Sequence, residues 1–143
     1  MKRGTTLIEL AASLVILGVL TGLLSPTVAS LQNRASVLAA REQFVALVVE
    51  ARRIAGERGG SVLVVRSEPA RIYLVTGTDT VRAVAWPSSP GDAAMVIGGA
   101  RVGLDLAFDR AGLGRFASAT VRFRKGRSES SLIISSYGRI RRR

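Results

Sequence analysis

Residues 4–24, GTTLIELAASLVILGVLTGLL, constrain this chain more than any other stretch. The run is almost wholly apolar, and its single charge is Glu9. About 20 such residues, rising 1.5 Å each, cross the roughly 30 Å hydrocarbon layer as a helix. A carboxylate at the centre of such a helix costs about 2.5–3.5 kcal/mol. Glu9 lies near the N-terminal end instead, where the cost is smaller and the helix dipole favours a negative charge. A positive partner is still expected for it. Lys2 and Arg3 form a short basic leader before Gly4. A cut after Gly4 would leave Thr5 with a free, positively charged amine, one helical turn from Glu9. The same amine on a neighbouring copy would also serve as partner inside a membrane.

Two plainer readings compete. One is a secretory signal peptide, with residues 1–3 as its basic region, its apolar region within 10–24 and Thr27-Val28-Ala29 as a small-residue cleavage site. The other is a simple membrane anchor. Neither gains anything from an acid placed just inside the apolar run.

The stretch Gly4-Thr5-Thr6-Leu7-Ile8-Glu9-Leu10 resembles the signal of type IV pilins and type II secretion pseudopilins, a Gly followed by F-T-L-I-E-L. The resemblance implies cleavage between Gly4 and Thr5 by the prepilin peptidase and methylation of the new Thr5 amine. It also implies assembly into a helical filament, with Glu9 pairing with the amine of a neighbouring subunit. Pro26 falls where many of these proteins carry a helix-kinking proline. Thr5 departs from the usual Phe. The implied location is the bacterial inner membrane, crossed once, with the C-terminal domain in the periplasm and then in a periplasmic or extracellular filament. Other pilin or pseudopilin subunits are the implied partners.

With roughly 30 of the 143 residues in or near the membrane, about 110 remain for one globular domain. There is no cysteine, so that domain relies on its apolar core alone. There is no histidine either, which removes Ser-His-Asp and Cys-His catalysis and the common zinc sites. The net charge of +11 is uneven. Residues 1–60 hold 7 Lys/Arg against 4 Asp/Glu, 61–100 hold 3 against 3, and 101–143 hold 11 against 3. An excess at one end points to an anionic partner, whether nucleic acid, lipid headgroups or an acidic neighbour in an assembly.

Along the chain, residues 5–58 read as one helix with a kink at Pro26. Gly18 and Gly22 are small enough to permit close helix packing, or are merely tolerated in lipid. The segment 5–26 is the membrane or filament-core half and 27–58 the amphipathic half. In the second half Leu31, Ala35, Leu38, Val45 and Val49 form the predicted apolar stripe, widened by Phe44, Val48 and Ala51. Gly56 and then Gly59-Gly60 end the helix. Residues 61–143 read as a β-rich domain with strands at 62–65, 72–75, 81–86, 95–97, 102–108, 120–125 and 132–135, and then a tail. Turns are expected at Glu68-Pro69 and Gly77-Thr78-Asp79, and a loop over 87–92. The predicted fold class is therefore α+β, a long N-terminal helix packed on antiparallel sheet. The resemblance implies the same pilin-like architecture. Within the pilins, three segments resemble the GspH/FimT group: LAAREQFVALVVEARRIAGERGGSVLVV, LAFDRAGLGRF and SLIISSYGRIRRR.

Raw material for catalysis is thin. Asp105 and Asp109 are four apart, but a Phe-Asp turn explains them more simply. Gly112-x-Gly114 lacks the Lys and Ser/Thr of a phosphate-cradling loop. Lys2 and Lys125 are the only lysines, and neither sits in a nucleophile motif. No enzyme activity, metal or cofactor is expected. The basic end is the better candidate. Arg139, Arg141, Arg142 and Arg143 follow Gly138, and Arg122, Arg124, Lys125 and Arg127 lie on a preceding strand and turn. Paired strands would merge them into one patch able to bind DNA without sequence preference, with Tyr137 able to stack on a base. Gly138-Arg139-Ile140-Arg141 is similar to the Gly-Arg-x-Arg motif implicated in DNA capture by FimT-type minor pilins during natural transformation. The motif puts that role on Arg139 and Arg141. Docking to an acidic neighbour or lipid, or a merely solvated tail, are the alternatives for the same residues.

Overall fold

A computed structural model of the chain describes residues 6–67, 70–87, 92–99 and 102–143, apart from the side chains of 21–26. Gly4, Thr5, the Glu68-Pro69 turn, positions 88–91 of the expected loop and the Pro26 side chain lie outside the described residues. The chain divides into two units, Met1–Gln32 and Asn33–Arg143.

Helix α1 runs from Leu7 to Arg58. Runs of Ala, Leu, Val, Glu and Arg favour it, and Gly59, at φ 84°, ends it. In the first unit every described side chain of α1 is exposed, including Leu7 at 91%, Ile8 at 78% and Val15 at 66%. Among the described residues, no helix is long and apolar enough to cross a membrane. The described side chains of the apolar run stop at Leu20.

In the second unit α1 packs against two antiparallel sheets. One has the order β3 (Asp79–Ala85), β2 (Ala70–Thr76), β1 (Gly60–Ser67), β5 (Gly103–Asp109). The other has the order β4 (Ala94–Ile97), β6 (Ala119–Lys125), β7 (Ser128–Ile134), β8 (Ile140–Arg142). The fold is thus α+β, with a long helix on antiparallel sheets, as its apolar patterns predict. Alternation puts Leu63 and Val65 of β1, Ile72 and Leu74 of β2, Leu104 and Leu106 of β5, Val121 and Phe123 of β6, and Leu132 and Ile134 of β7 into one core. Phe123 is its centre: its ring lies 5.8 Å from Phe44 of the helix and 5.9 Å from Trp86.

Three expectations change. The helix face in the core is Val37, Ala40, Phe44, Leu47, Val48, Ala51, Ile54 and Ala55. The predicted stripe is displaced from it: Leu38 is 40% and Val49 55% exposed, while Phe44, Val48 and Ala51, its expected margin, are fully buried. Val102, expected to open the strand over 102–108, precedes β5 and is exposed. The tail after 135 is not loose, because Ile140–Arg142 forms β8 on the edge of β7.

Candidate functional site

The basic residues of the C-terminal half are sorted by strand parity. Gly126, at φ 57°, turns β6 into β7 with Lys125 opposite Ser128 and Arg124 opposite Glu129. Val121 and Phe123 point into the core, so Arg122 and Arg124 point out. On β8, Arg141 is opposite Ile133 and Arg142 opposite Leu132. Leu132 is buried, so Arg142 lies on the inner side and Arg141 on the outer. The ladder continues at both ends: Ser135 donates its N–H to the Arg139 carbonyl at 2.9 Å, and Ser131 and Arg143 exchange N–H···O bonds at 3.0 and 2.9 Å. Arg139, Arg141 and Arg143 therefore share the outer side in an alternating row.

The outer surface thus holds two arginine rows, on β6 and β8, flanking β7. At 4.7–4.9 Å between neighbouring strands the rows stand about 9.6 Å apart. One acid sits among them: Glu129 accepts from Arg124 Nε at 2.9 Å and lies 3.9 Å from Arg122 Nε. Five arginines against one glutamate leave the surface strongly positive. A cleft of ≈ 330 Å³ opens on it, lined by Ile133, Arg141, Arg142 and Arg143. Arg127 is exposed at the β6–β7 turn, and Tyr137 is 73% exposed in the turn before β8.

Two of the eight expected cations are engaged on the helix side instead. Lys125 Nζ donates to Ser36 Oγ at 2.9 Å. Arg142 makes two 3.2 Å bonds to the Glu42 carboxylate, which also takes Arg41 at 2.9 Å. Hydrogen bonds first from Arg142 and then from Arg41 hold the Glu42 carboxyl below its ordinary range. Glu42 in turn pushes Arg142 up. Arg41 also reaches Ser130 Oγ, which donates to the Arg143 carbonyl. The single patch predicted from paired strands is therefore six arginines on or beside one surface, plus two cations that tie β6 and β8 to α1.

The motif glycines are structural. Gly138, at φ 83°, lies where a Cβ would be 2.8 Å from Arg52 Nη2 and 3.0 Å from Phe108 Cε1. Arg52 sits over the Phe108 ring, 5.7 Å from its centroid, and donates to the Tyr137 carbonyl. Gly114 donates to the same carbonyl, and its own Cβ would be 2.6 Å from the Ser136 carbonyl oxygen. Asp109 closes the loop between them, accepting from the Ala111 and Leu113 N–H groups and from Arg115. Those bonds, Leu113 first, lower its pKa. Three segments far apart in sequence, 38–65, 106–116 and 131–143, thus meet at Arg52, Phe108, Gly114 and Gly138.

Glu9 lies in the first turn of α1, exposed, with its N–H bonded to the Thr6 carbonyl at 3.0 Å. Among the described residues no group of three or more His, Cys, Asp or Glu could hold a metal. Glu42 and Glu129 were not anticipated as partners of the basic end; their only signal is that they are acids on elements that pair with it. No family model, curated protein or solved structure matches the chain.

Proposed function

We propose that this chain is a non-enzymatic minor pilin or pseudopilin, carried in the bacterial inner membrane by its N-terminal run and built into a type IV pilus or a type II secretion pseudopilus. The observation that carries this reading is Glu9 inside an apolar run, five residues after a Gly-Thr junction. Exposed apolar side chains from Leu7 to Leu20 support it, since a helix so clad needs lipid or other helices around it. Residues 7–24 hold no charge besides Glu9, so the full run has the composition of a spanning helix. The prepilin peptidase acts between Gly4 and Thr5, and Glu9 meets the processed amine of a neighbour as the subunit docks.

The test uses Glu9→Leu in the full chain. The variant is expected to stay in the membrane fraction and to be missing from sheared filaments, and incorporation at the parent level removes the proposal.

A second reading is favoured by the outer arginine rows: the same subunit presents Arg139, Arg141, Arg143, Arg122 and Arg124 to DNA. Guanidinium forks match phosphate oxygens and carry no base preference when they contact only the backbone. Lys125 and Arg142 take no direct part, because their head groups are engaged on α1.

A further inference from the structure

Strand β8 is the last in the order of its sheet, so one of its two sides is an open edge. The ladder to β7 fixes which backbone groups face that edge. Ser131 and Arg143 exchange both N–H···O bonds, and the Arg139 carbonyl takes the Ser135 N–H. In an antiparallel pair such bonded positions alternate along the strand. With Arg141 opposite Ile133, the bonded residues are therefore 139, 141 and 143. The N–H and C=O groups of Ile140 and Arg142 point the other way, in the plane of the sheet, where no strand meets them among the described residues. Two donors and two acceptors at strand spacing are what an added strand pairs with.

The side chains select the strand. Arg139, Arg141 and Arg143 stand in line on the outer side, and none of the three makes an ion pair among the described residues. Side chains directly opposite across such an edge lie about 4.5–5.5 Å apart. A second copy's β8 would set arginine against arginine and repel. Carboxylates at every second position would meet the guanidinium forks, whose geometry they match. Charge also guards exposed edges against pairing. Guarding alone does not account for β8, because β4, the other edge of the same sheet, is Ala-Met-Val-Ile with no charge. On the inner side Ile140 packs on the core and Arg142 is held by Glu42, so residues opposite them need no charge.

We propose that β8 takes an extended acidic peptide of a partner protein as one further antiparallel strand. Acids at alternate positions face Arg139, Arg141 and Arg143, and the backbone bonds go to Ile140 and Arg142. This site is independent of the assembly reading above. It shares the outer arginines with the DNA reading and adds the backbone edge, which phosphates do not require.

The probe is the end-blocked peptide Glu-Thr-Glu-Val-Glu, titrated into the full chain in detergent at low salt. A new hydrogen bond moves an amide proton downfield. The Ile140 and Arg142 amides are therefore expected to move several-fold further than those of Arg139, Arg141 and Arg143, which are already bonded. The same peptide N-methylated at its Thr and Val keeps its charge, loses the two donors and should bind several-fold more weakly. Arg142→Pro removes an outward N–H and leaves the inward bonds to β7. Arg142→Ala loses the same guanidinium but keeps that N–H, so it is the reference. The Pro variant should bind several-fold more weakly than the Ala variant, with slow exchange of the Arg141 and Arg143 amides showing that β8 is still in place. Equal binding by the two variants or of the two peptides, or shifts that ignore the alternation, would leave a contact of charge alone and overturn the strand. Duplex DNA bound where the peptide is not would overturn it too. If Arg142→Pro releases β8, the alternation of shifts in the parent and the methylated peptide still decide.

Discussion

A methyl group on Gly138 has nowhere to go. Its backbone is at φ 83°, which side chains rarely adopt, and the Cβ would press on Arg52 and Phe108. Gly138→Ala is expected to destabilise the domain by about 1–3 kcal/mol, read as a lower midpoint in chemical denaturation of the full chain in detergent. An unchanged midpoint would mean that the turn before β8 is not docked as described. The glycine of the Gly-Arg-x-Arg motif thus positions the turn, while its arginines face out. Glu42 makes a second residue-scale prediction. Its pKa is lowered in the folded chain, so its contribution is fully present above the ordinary value of 4.5 and is lost as pH falls through the lowered one. Amide resonances of Ile140–Arg142 should therefore shift with an inflection below pH 4.5. Asp109, also lowered, titrates in the same acid range, so Glu42→Gln is the discriminating variant. Persistence of the β8 inflection in that variant would assign it elsewhere. Neither feature could be read from sequence, because Glu42 and Arg142 are a hundred positions apart and only the register brings them together.

At the scale of the element, alternation was legible and facing was not. Strands such as β6 show which residues point inward from their own pattern, since Val121 and Phe123 alternate with Arg122 and Arg124. Strand β8 is three residues long, Ile-Arg-Arg, too short for any alternation to register. Helix α1 failed differently. Its Asn33–Arg58 part is apolar on two sides, so the row through Ala35, Leu38, Val45 and Val49 stands out in the sequence, with the core row through Phe44, Val48 and Ala51 at its margin. The two rows separate experimentally. Phe44→Ala removes a ring packed on Phe123 and is expected to cost about 3–5 kcal/mol. Leu38→Ala, off the core, is expected to stay within about 0.5 kcal/mol. Trp86, the only tryptophan, lies against Phe123 and reports both unfolding curves. Similar losses from the two substitutions would mean that the predicted stripe, not the observed face, builds the core.

For the whole molecule, the charge excess was legible as a quantity and its disposition was not. Eleven cations against three acids after residue 100 said only that an anion was wanted. The fold spends Lys125 and Arg142 on the helix, lets Glu129 offset part of the β6 row, and leaves Arg139, Arg141 and Arg143 in line along and just beyond the two ends of β8. That disposition makes DNA binding a quantitative claim. Each phosphate neutralised on a duplex contributes about −0.9 to the slope of log K against log salt. Arg139 and Arg141, if each meets one phosphate, together account for about 1.8 of that slope. The full chain in detergent should bind duplex DNA of any sequence at low salt, and Arg139→Ala/Arg141→Ala should both weaken binding and flatten the slope by that amount. Lys125→Ala should leave the slope unchanged, because its ammonium is engaged with Ser36 on the opposite side of the sheet. A flattened slope in Lys125→Ala, or an unflattened one in the double variant, would move the contact off the outer row. No binding by the parent would end the DNA reading and leave Glu9 and the apolar run to account for the chain by assembly alone.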